Sequence, residues 1–405
     1  MNGTDIATRP FGSPVVTHAP ERKREFYHFH APNCPVSGSD QRQFLPRIES
    51  LRGIAALTVA LMHVTMSWFA AQPRGVFDEI GLKAIKAMGN GFGAVVAFFV
   101  ISGFVLARSL DRDFSAKRFA RARIFRLFPA AISTIAIFAV LFYAFGFNLY
   151  GEEGAFFTPL NIVANMLMLR TDIDAVMWSM KAELAATPLI FLCVWLFRRY
   201  GEWPVIAMIW VLFGLSFLGQ YRHAIGTDTN LTALYAFPFG ILLHFKGAGL
   251  AKRLKPNGVT LAALASIGLF WACSFFKPEG TWTALVECLS AATLVMLVAY
   301  RVEAPLFTPL DLPIVRFYGR ISYSFYLLHP LSLWAAARLT SYLWERYSWL
   351  PVTLILAVSF LFSLMLTTPL AYLSWRYVER PALNWRSAWQ SRSAAVVSGD
   401  LKALP

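Results

Sequence analysis

The sequence predicts an all-α, polytopic integral membrane protein of about ten transmembrane helices, with both chain ends on the cytoplasmic side. Three observations predict it. Of 405 residues, 57% are hydrophobic and only 15% are charged, where soluble domains carry about 25% charged residues, and the mean hydropathy is +0.52. Apolar stretches long enough to cross about 30 Å of hydrocarbon recur between residues 52 and 375. Lysine and arginine gather in alternate loops, as cytoplasmic loops do. The formal net charge of +14 therefore reads as loops facing anionic membrane lipid, and nucleic acid is not an expected partner. Cys34, Cys193, Cys273 and Cys288 show neither CxxC nor Cys/His ligand spacing, so no disulfide framework and no metal site are expected.

Residues 1–46 are polar, carry Arg22, Lys23, Arg24 and Arg42, and contain no apolar core of signal-peptide type; they read as a disordered basic cytoplasmic tail. His28, His30 and Cys34 in that tail lack a fourth ligand at recognisable spacing. One membrane domain then covers 47–385, and 386–405 form a short cytoplasmic tail. The expected spans are 52–71, 91–109, 128–149, 178–197, 203–221, 231–247, 258–276, 281–300, 318–337 and 350–375, and Pro159 to Leu169 reads as an interfacial or half-inserted helix. Arg108, Arg112, Lys117, Arg118, Arg121, Arg123 and Arg126 fill the second loop, while the third carries Glu152, Glu153, Asp172 and Asp174 against Arg170. The second loop is therefore inside and the third outside. Arg198 and Arg199, then Lys246, Lys252, Arg253 and Lys255, then Arg301, Arg316 and Arg320, and finally Arg376, Arg380 and Arg386 continue the inside series, with Asp228 outside. No internal repeat is visible, which disfavours repeat-built transporter folds.

The first span opens at Arg52 and contains His63. At ~100° per residue, eleven steps return to within roughly 20° of the starting direction and rise about 16 Å, so the two share a face at different depths. They are either a functional pair or an interface anchor and a helix-packing histidine. In the second span, FFVISGFVLARSL, Ser102 and Gly103 interrupt a bulky run, for helix packing or for substrate contact. The loop after it ends RIFRLFP, with Pro129 placed to open the third span at its first turn. Its arginines suit phosphate groups, and positive-inside topology explains them equally. WSMKAEL sets Trp178 at an interface, with Ser179 and Glu183 on one face at i, i+4; a membrane carboxylate needs a polar cavity or a cationic partner. YGRISYSFYLLHPL runs a polar stripe including Tyr323 and His329 into the bundle, with Pro330 loosening the helix. In WRYVERPAL, Glu379 stands between Arg376 and Arg380, where a local ion pair is the simplest account.

Arg-x10-His, FFVISGF, RxxRLFP, WSxxxE, GRISYSFYLLHP and VERP follow one another in order over about residues 47–385. Together they resemble the family-3 membrane acyltransferases, which move acyl groups, usually acetyl, onto sugars of bacterial polysaccharides, lipid-linked glycans and some secondary metabolites. The resemblance implies that Arg52 and His63 are the essential pair, that Glu183 belongs to a further recurrent motif, and that cytoplasmic acetyl-CoA is a co-substrate rather than a bound cofactor. It also implies a carbohydrate or glycolipid acceptor, a multi-pass place in the bacterial cytoplasmic membrane and, with no hydrolase-like domain following, the stand-alone form. Two positions depart from the family pattern: Val96 stands where an acidic residue is common, and Lys181 where an apolar one is usual.

Acyl transfer to a hydroxyl needs a base for the proton and stabilisation of the developing oxyanion. His63 is the expected base, or a transient acyl carrier. Arg52 would orient the helix or grip donor phosphates with Arg118, Arg121, Arg123 and Arg126, and Ser102, Trp178, Ser179, Tyr323 and His329 are candidate substrate contacts. Two rivals stay open at this point. One is a proton-coupled transporter relaying through His63, Glu183 and His329; the other is a catalytically idle subunit of a glycan export complex.

Overall fold

The computed structural model describes residues 40–68, 72–149, 157–218, 232–276, 280–347 and 349–385, with side chains from residue 46 onward. His28, His30, Cys34, Glu152, Glu153, Asp228 and the carboxyl-terminal tail lie outside the described residues.

Among the described residues there are thirteen α-helices and no strand. They are α1 (Asp40–Thr65), α2 (Val76–Met88), α3 (Gly91–Arg112), α4 (Ala116–Phe145), α5 (Pro159–Met166), α6 (Trp178–Tyr200), α7 (Trp203–Ser216), α8 (Ala236–Lys252), α9 (Pro256–Cys273), α10 (Thr281–Tyr300), α11 (Pro313–Leu328), α12 (Pro330–Arg346) and α13 (Val352–Ser374). The chain is an all-α polytopic membrane protein. Among the described residues, seven helical stretches are long and apolar enough to cross a membrane: Pro46–Trp68, Val76–Arg112, Ala116–Phe145, Ala175–Tyr200, Pro256–Cys273, Thr281–Tyr300 and Val352–Trp385. Each of the ten expected spans holds helix, but α7, α8, α11 and α12 are shorter, at 14, 17, 16 and 17 residues.

Two expectations are corrected by prolines. Pro129 does not open a helix, because α4 begins at Ala116 and carries Pro129 inside it. Nothing between Ala116 and Phe128 breaks helix, so the basic stretch itself winds into the bundle. The expected single span 318–337 is instead two helices that meet at His329, with Pro330 at the first position of α12. A proline ring supplies no amide hydrogen, so the ladder of α11 ends there and a new helix starts.

Two close crossings set the inner packing. A Cβ on Gly53 would stand 2.5 Å from the backbone nitrogen of Gly319, and one on Gly319 would stand 2.6 Å from the carbonyl of Glu49, so α1 and α11 touch backbone to backbone. Gly103 and Gly240 make the same contact between α3 and α8. Small residues at such crossings are how membrane helices approach closely. Between α12 and α13 the contact is polar: Ser332 Oγ lies 2.6 Å from Ser363 Oγ, and Thr340 donates to Ser359 at 2.7 Å. At the arginine-rich end, Arg47 of α1 forks onto Asp311 with bonds of 3.0 and 2.6 Å and donates to the Val302 carbonyl at 2.7 Å. The Arg47 bonds, helped by Arg316, hold the Asp311 carboxyl below its usual range against the opposing effect of burial. At the opposite end Asp78 accepts from the amides of Val352 at 3.1 Å and Thr353 at 2.8 Å, capping α13 from a distant part of the chain.

Candidate active site

Two polar centres lie inside the bundle, both built from α1 and α11. The first is ionic. Arg123 of α4 pairs with Glu183 of α6 at 2.8 Å, and Ser102 of α3 donates to the same carboxylate oxygen at 2.9 Å. Ser102 stands near the middle of α3, so Glu183 sits at mid-depth rather than near an outer surface. Arg126, one turn along α4, pairs with Glu379, whose other oxygen accepts from Ser324 at 3.1 Å. The Arg126 guanidinium lies 5.3 Å from the ring centre of Tyr323, and the Tyr323 hydroxyl donates to the Leu127 carbonyl at 2.8 Å. Arg52 lies within electrostatic reach of Glu183, Glu379 and Arg126, with Glu49 reaching it from an exposed position. Three guanidiniums thus gather around Glu183 and Glu379, with Glu49 as a third carboxylate at the rim, in surroundings where ionic interactions are strong.

The second centre is aromatic and imidazole in character. His63 Nδ1 lies 2.9 Å from His329 Nε2, and His329 Nδ1 lies 2.6 Å from the Tyr326 carbonyl. Tyr326 is pinned at its other end, where its hydroxyl donates to the Val176 carbonyl at 3.1 Å and Ser179 lies 2.9 Å away. Phe98 meets the Tyr326 ring edge-on at 5.8 Å. His63 is half-buried while His329 is fully buried, so His63 is the member of the pair open to a substrate. The eleven helical steps from Arg52 to His63 put about 16 Å of helix rise between the centres.

The structure brings Arg52, Glu183, Ser102, Arg123 and Arg126 into the ionic centre, and His63, His329 and Ser179 into the imidazole centre. Tyr323 joins the ionic centre. Trp178 packs beside Phe92 and Phe99, with ring centres 6.5 and 6.4 Å away. Arg118 is on the surface, paired with Asp113 at 2.7 Å, and Arg121 is half-buried. The alternatives for Ser102 and Gly103 divide: Gly103 is a packing position and Ser102 a polar partner of Glu183. Glu379 corrects the local-pair account, because it is buried and reaches across to Arg126 rather than to Arg376 or Arg380. A π-helical turn, Trp375–Glu379, follows α13; its wider winding changes the direction of Glu379, as such turns do at functional sites. Asp174, expected in an outer loop, is fully buried close to Tyr326, and Asp172 accepts from Asn165 at 2.7 Å and Asn161 at 3.1 Å. A buried loop of this kind has no signal in hydropathy. Lys181, the departure in WSMKAEL, is buried and donates to the Leu169 carbonyl at 3.0 Å, fastening that loop to α6.

Comparison with known proteins places the sequence that builds these centres in a family. Residues 45–373 match the model of the family-3 acyltransferases, described as an acyltransferase domain. A chain of Staphylococcus aureus strain MRSA252, provisionally named an O-acetyltransferase, is 23% identical over 394 residues, covering 86% of this chain and 60% of its own length. This chain therefore spans about three fifths of that relative. The acyltransferase MdmB of Streptomyces mycarofaciens is 32% identical over 100 residues, covering 25% of this chain and 24% of its own length. Nodulation protein 10 of Rhizobium leguminosarum bv. viciae is 24% identical over 332 residues, 75% of this chain and 85% of that protein. No solved structure matches.

Proposed function

The chain belongs to the family-3 acyltransferases, and from that premise we propose that it is a membrane-bound O-acyltransferase, moving an acyl group, acetyl first of all, from acyl-CoA to a hydroxyl of a surface or exported polysaccharide or lipid-linked sugar. One observation carries the reading: a cationic centre and an imidazole centre stand on one helix about 16 Å apart. Coenzyme A has the matching shape, with a phosphate-bearing head separated from its thioester by the long pantetheine arm. In the proposed mechanism the guanidiniums of Arg52, Arg123 and Arg126 hold the phosphates of the head, and the thioester reaches His63. The arginine-rich end faces the cytoplasm of a bacterial inner membrane, where the donor is made.

His63 takes the proton of the acceptor hydroxyl as its oxygen attacks the thioester carbon. The carbon–sulfur bond breaks, and the thiolate leaves with the proton returned by His63. The test is radiolabel transfer from [14C]acetyl-CoA in membranes of the parent cell, read as base-labile label on glycan. His63→Gln should cut this by roughly 10²–10⁴-fold, the usual worth of a positioned acid–base group, with folded protein still in the membrane. Full transfer by His63→Gln would show that His63 is a packing element.

A further inference from the structure

Residue 330 is a proline, so the carbonyl four residues earlier, that of Tyr326, receives no helical amide hydrogen. An orphaned carbonyl inside a membrane bundle needs another donor. His329 provides it: its backbone N–H still bonds Phe325 at 2.9 Å, while its side-chain Nδ1 approaches the Tyr326 carbonyl at 2.6 Å. A carbonyl only accepts, so His329 Nδ1 carries hydrogen, and in the neutral ring Nε2 is then a bare lone pair. That lone pair points at His63 Nδ1, 2.9 Å away. The ring centres are 5.1 Å apart with planes 19° from parallel; with that nitrogen contact the rings meet edge to edge. His63 Nδ1 must therefore be the donor, and His63 Nε2 is left unprotonated.

On this basis, and resting on the acyltransferase reading above, we infer that His329 is a positioning residue: the carbonyl freed by Pro330 fixes the His329 tautomer, and His329 in turn holds His63 as its Nδ1–H tautomer with Nε2 as the base. The Tyr326 hydroxyl bond to Val176 and the Ser179 contact keep the carbonyl in place. Throughout the reaction the His63–His329 bond persists. The acceptor O–H bond breaks and its proton goes to His63 Nε2, the oxygen electron pair forms the new ester bond to the acyl carbon, the carbon–sulfur pair leaves with sulfur, and the Nε2 proton passes to the thiolate. Orientation of a base through its second nitrogen is the same device that an aspartate provides in hydrolase triads. Here a neutral imidazole takes the place of the carboxylate.

The experiment compares His329→Gln, His329→Leu and His329→Phe in membranes of the parent cell, with [14C]acetyl-CoA varied to separate kcat from the donor KM. Gln offers an oxygen to accept from His63 and an NH2 for the Tyr326 carbonyl; Leu and Phe offer volume without an acceptor. Gln is expected to keep kcat within about tenfold of wild type, while Leu and Phe lose about 100-fold or more, with donor KM within threefold for all three. A merely structural role, in which His329 only caps the Tyr326 carbonyl, would instead lower the amount of folded protein and the thermal midpoint of Leu and Phe and leave kcat per folded molecule close to that of Gln. Phe or Leu matching or exceeding Gln, in protein shown monodisperse in detergent, overturns the inference while wild-type transfer upholds the acyltransferase reading. Absence of transfer by the wild type overturns both.

Discussion

At the scale of single residues, Glu379 carries a consequence that its sequence neighbours conceal. Its carboxylate is 1% exposed and its partner Arg126 is 23% exposed, so removing the acid strands a largely buried guanidinium. Breaking such a pair from one side costs about 3–5 kcal/mol. Since Arg126 retains some access to solvent, Glu379→Ala is expected near the lower end, seen as a reduced thermal midpoint in detergent, and Glu379→Gln less, because the amide still meets Ser324. Arg380→Ala should leave the midpoint nearly unchanged, since Arg380 lies over the ring of Trp375 rather than on Glu379. Equal losses for Glu379→Ala and Arg380→Ala would restore the local-pair account. A motif of the form R-x-x-E-R shows charges close in sequence, and only the π turn after α13 decides which of them meet.

At the scale of elements, α11 joins the two centres. Tyr323 and Ser324 serve the ionic centre, while Tyr326 and the adjoining His329 serve the imidazole centre, so a single helix fixes their spacing. Its seat against α1 is the Gly53–Gly319 crossing. Gly53→Ala places a methyl 2.5 Å from backbone nitrogen, and backbone cannot step aside as a flexible side chain can; overpacking of this kind costs about 1–3 kcal/mol. The variant should lose thermal stability and acyl transfer together, because separating α1 from α11 also separates His63 from His329. Gly214→Ala in α7 is the matched control: nothing lies within 4 Å of the added methyl, and helix propensity favours alanine by about 1 kcal/mol. It should be neutral or stabilising. A neutral Gly53→Ala would mean that the crossing tolerates separation.

At the scale of the whole molecule, the arrangement stands or falls on orientation. Arg112, Arg118, Arg198, Arg199, Lys252, Arg253, Arg301 and Arg376 all belong to helix ends or connections at one end of the bundle. Cytoplasmic placement of that end is expected from charge, and the proposed route of the donor depends on it. Reporter fusions at Asp113–Ser115 and Arg253–Lys255 should report cytoplasm, and fusions at Gly146–Asn148 and Gly280 the outside. An outside signal from the connection between α3 and α4 would turn the cationic centre away from the donor and remove the proposed mechanism.

The sequence by itself determined the membrane class, the helical content, the family resemblance and the residues worth attention, because these depend on composition, local spacing and charge by loop. Arg52 and His63 were legible on one face of one helix because helical periodicity is a local property. What each polar residue meets was decided only in three dimensions. Arg123 and Glu183 lie 60 positions apart in the chain, Arg126 and Glu379 are separated by 253, and His63 and His329 by 266. In hydrocarbon a polar group must find a partner, but the chain does not encode locally which one. Pro330 is the intermediate case: the carbonyl it orphans is readable from the sequence, and the imidazole that fills it, and the histidine that imidazole then orients, come from the packing of α11 against α1.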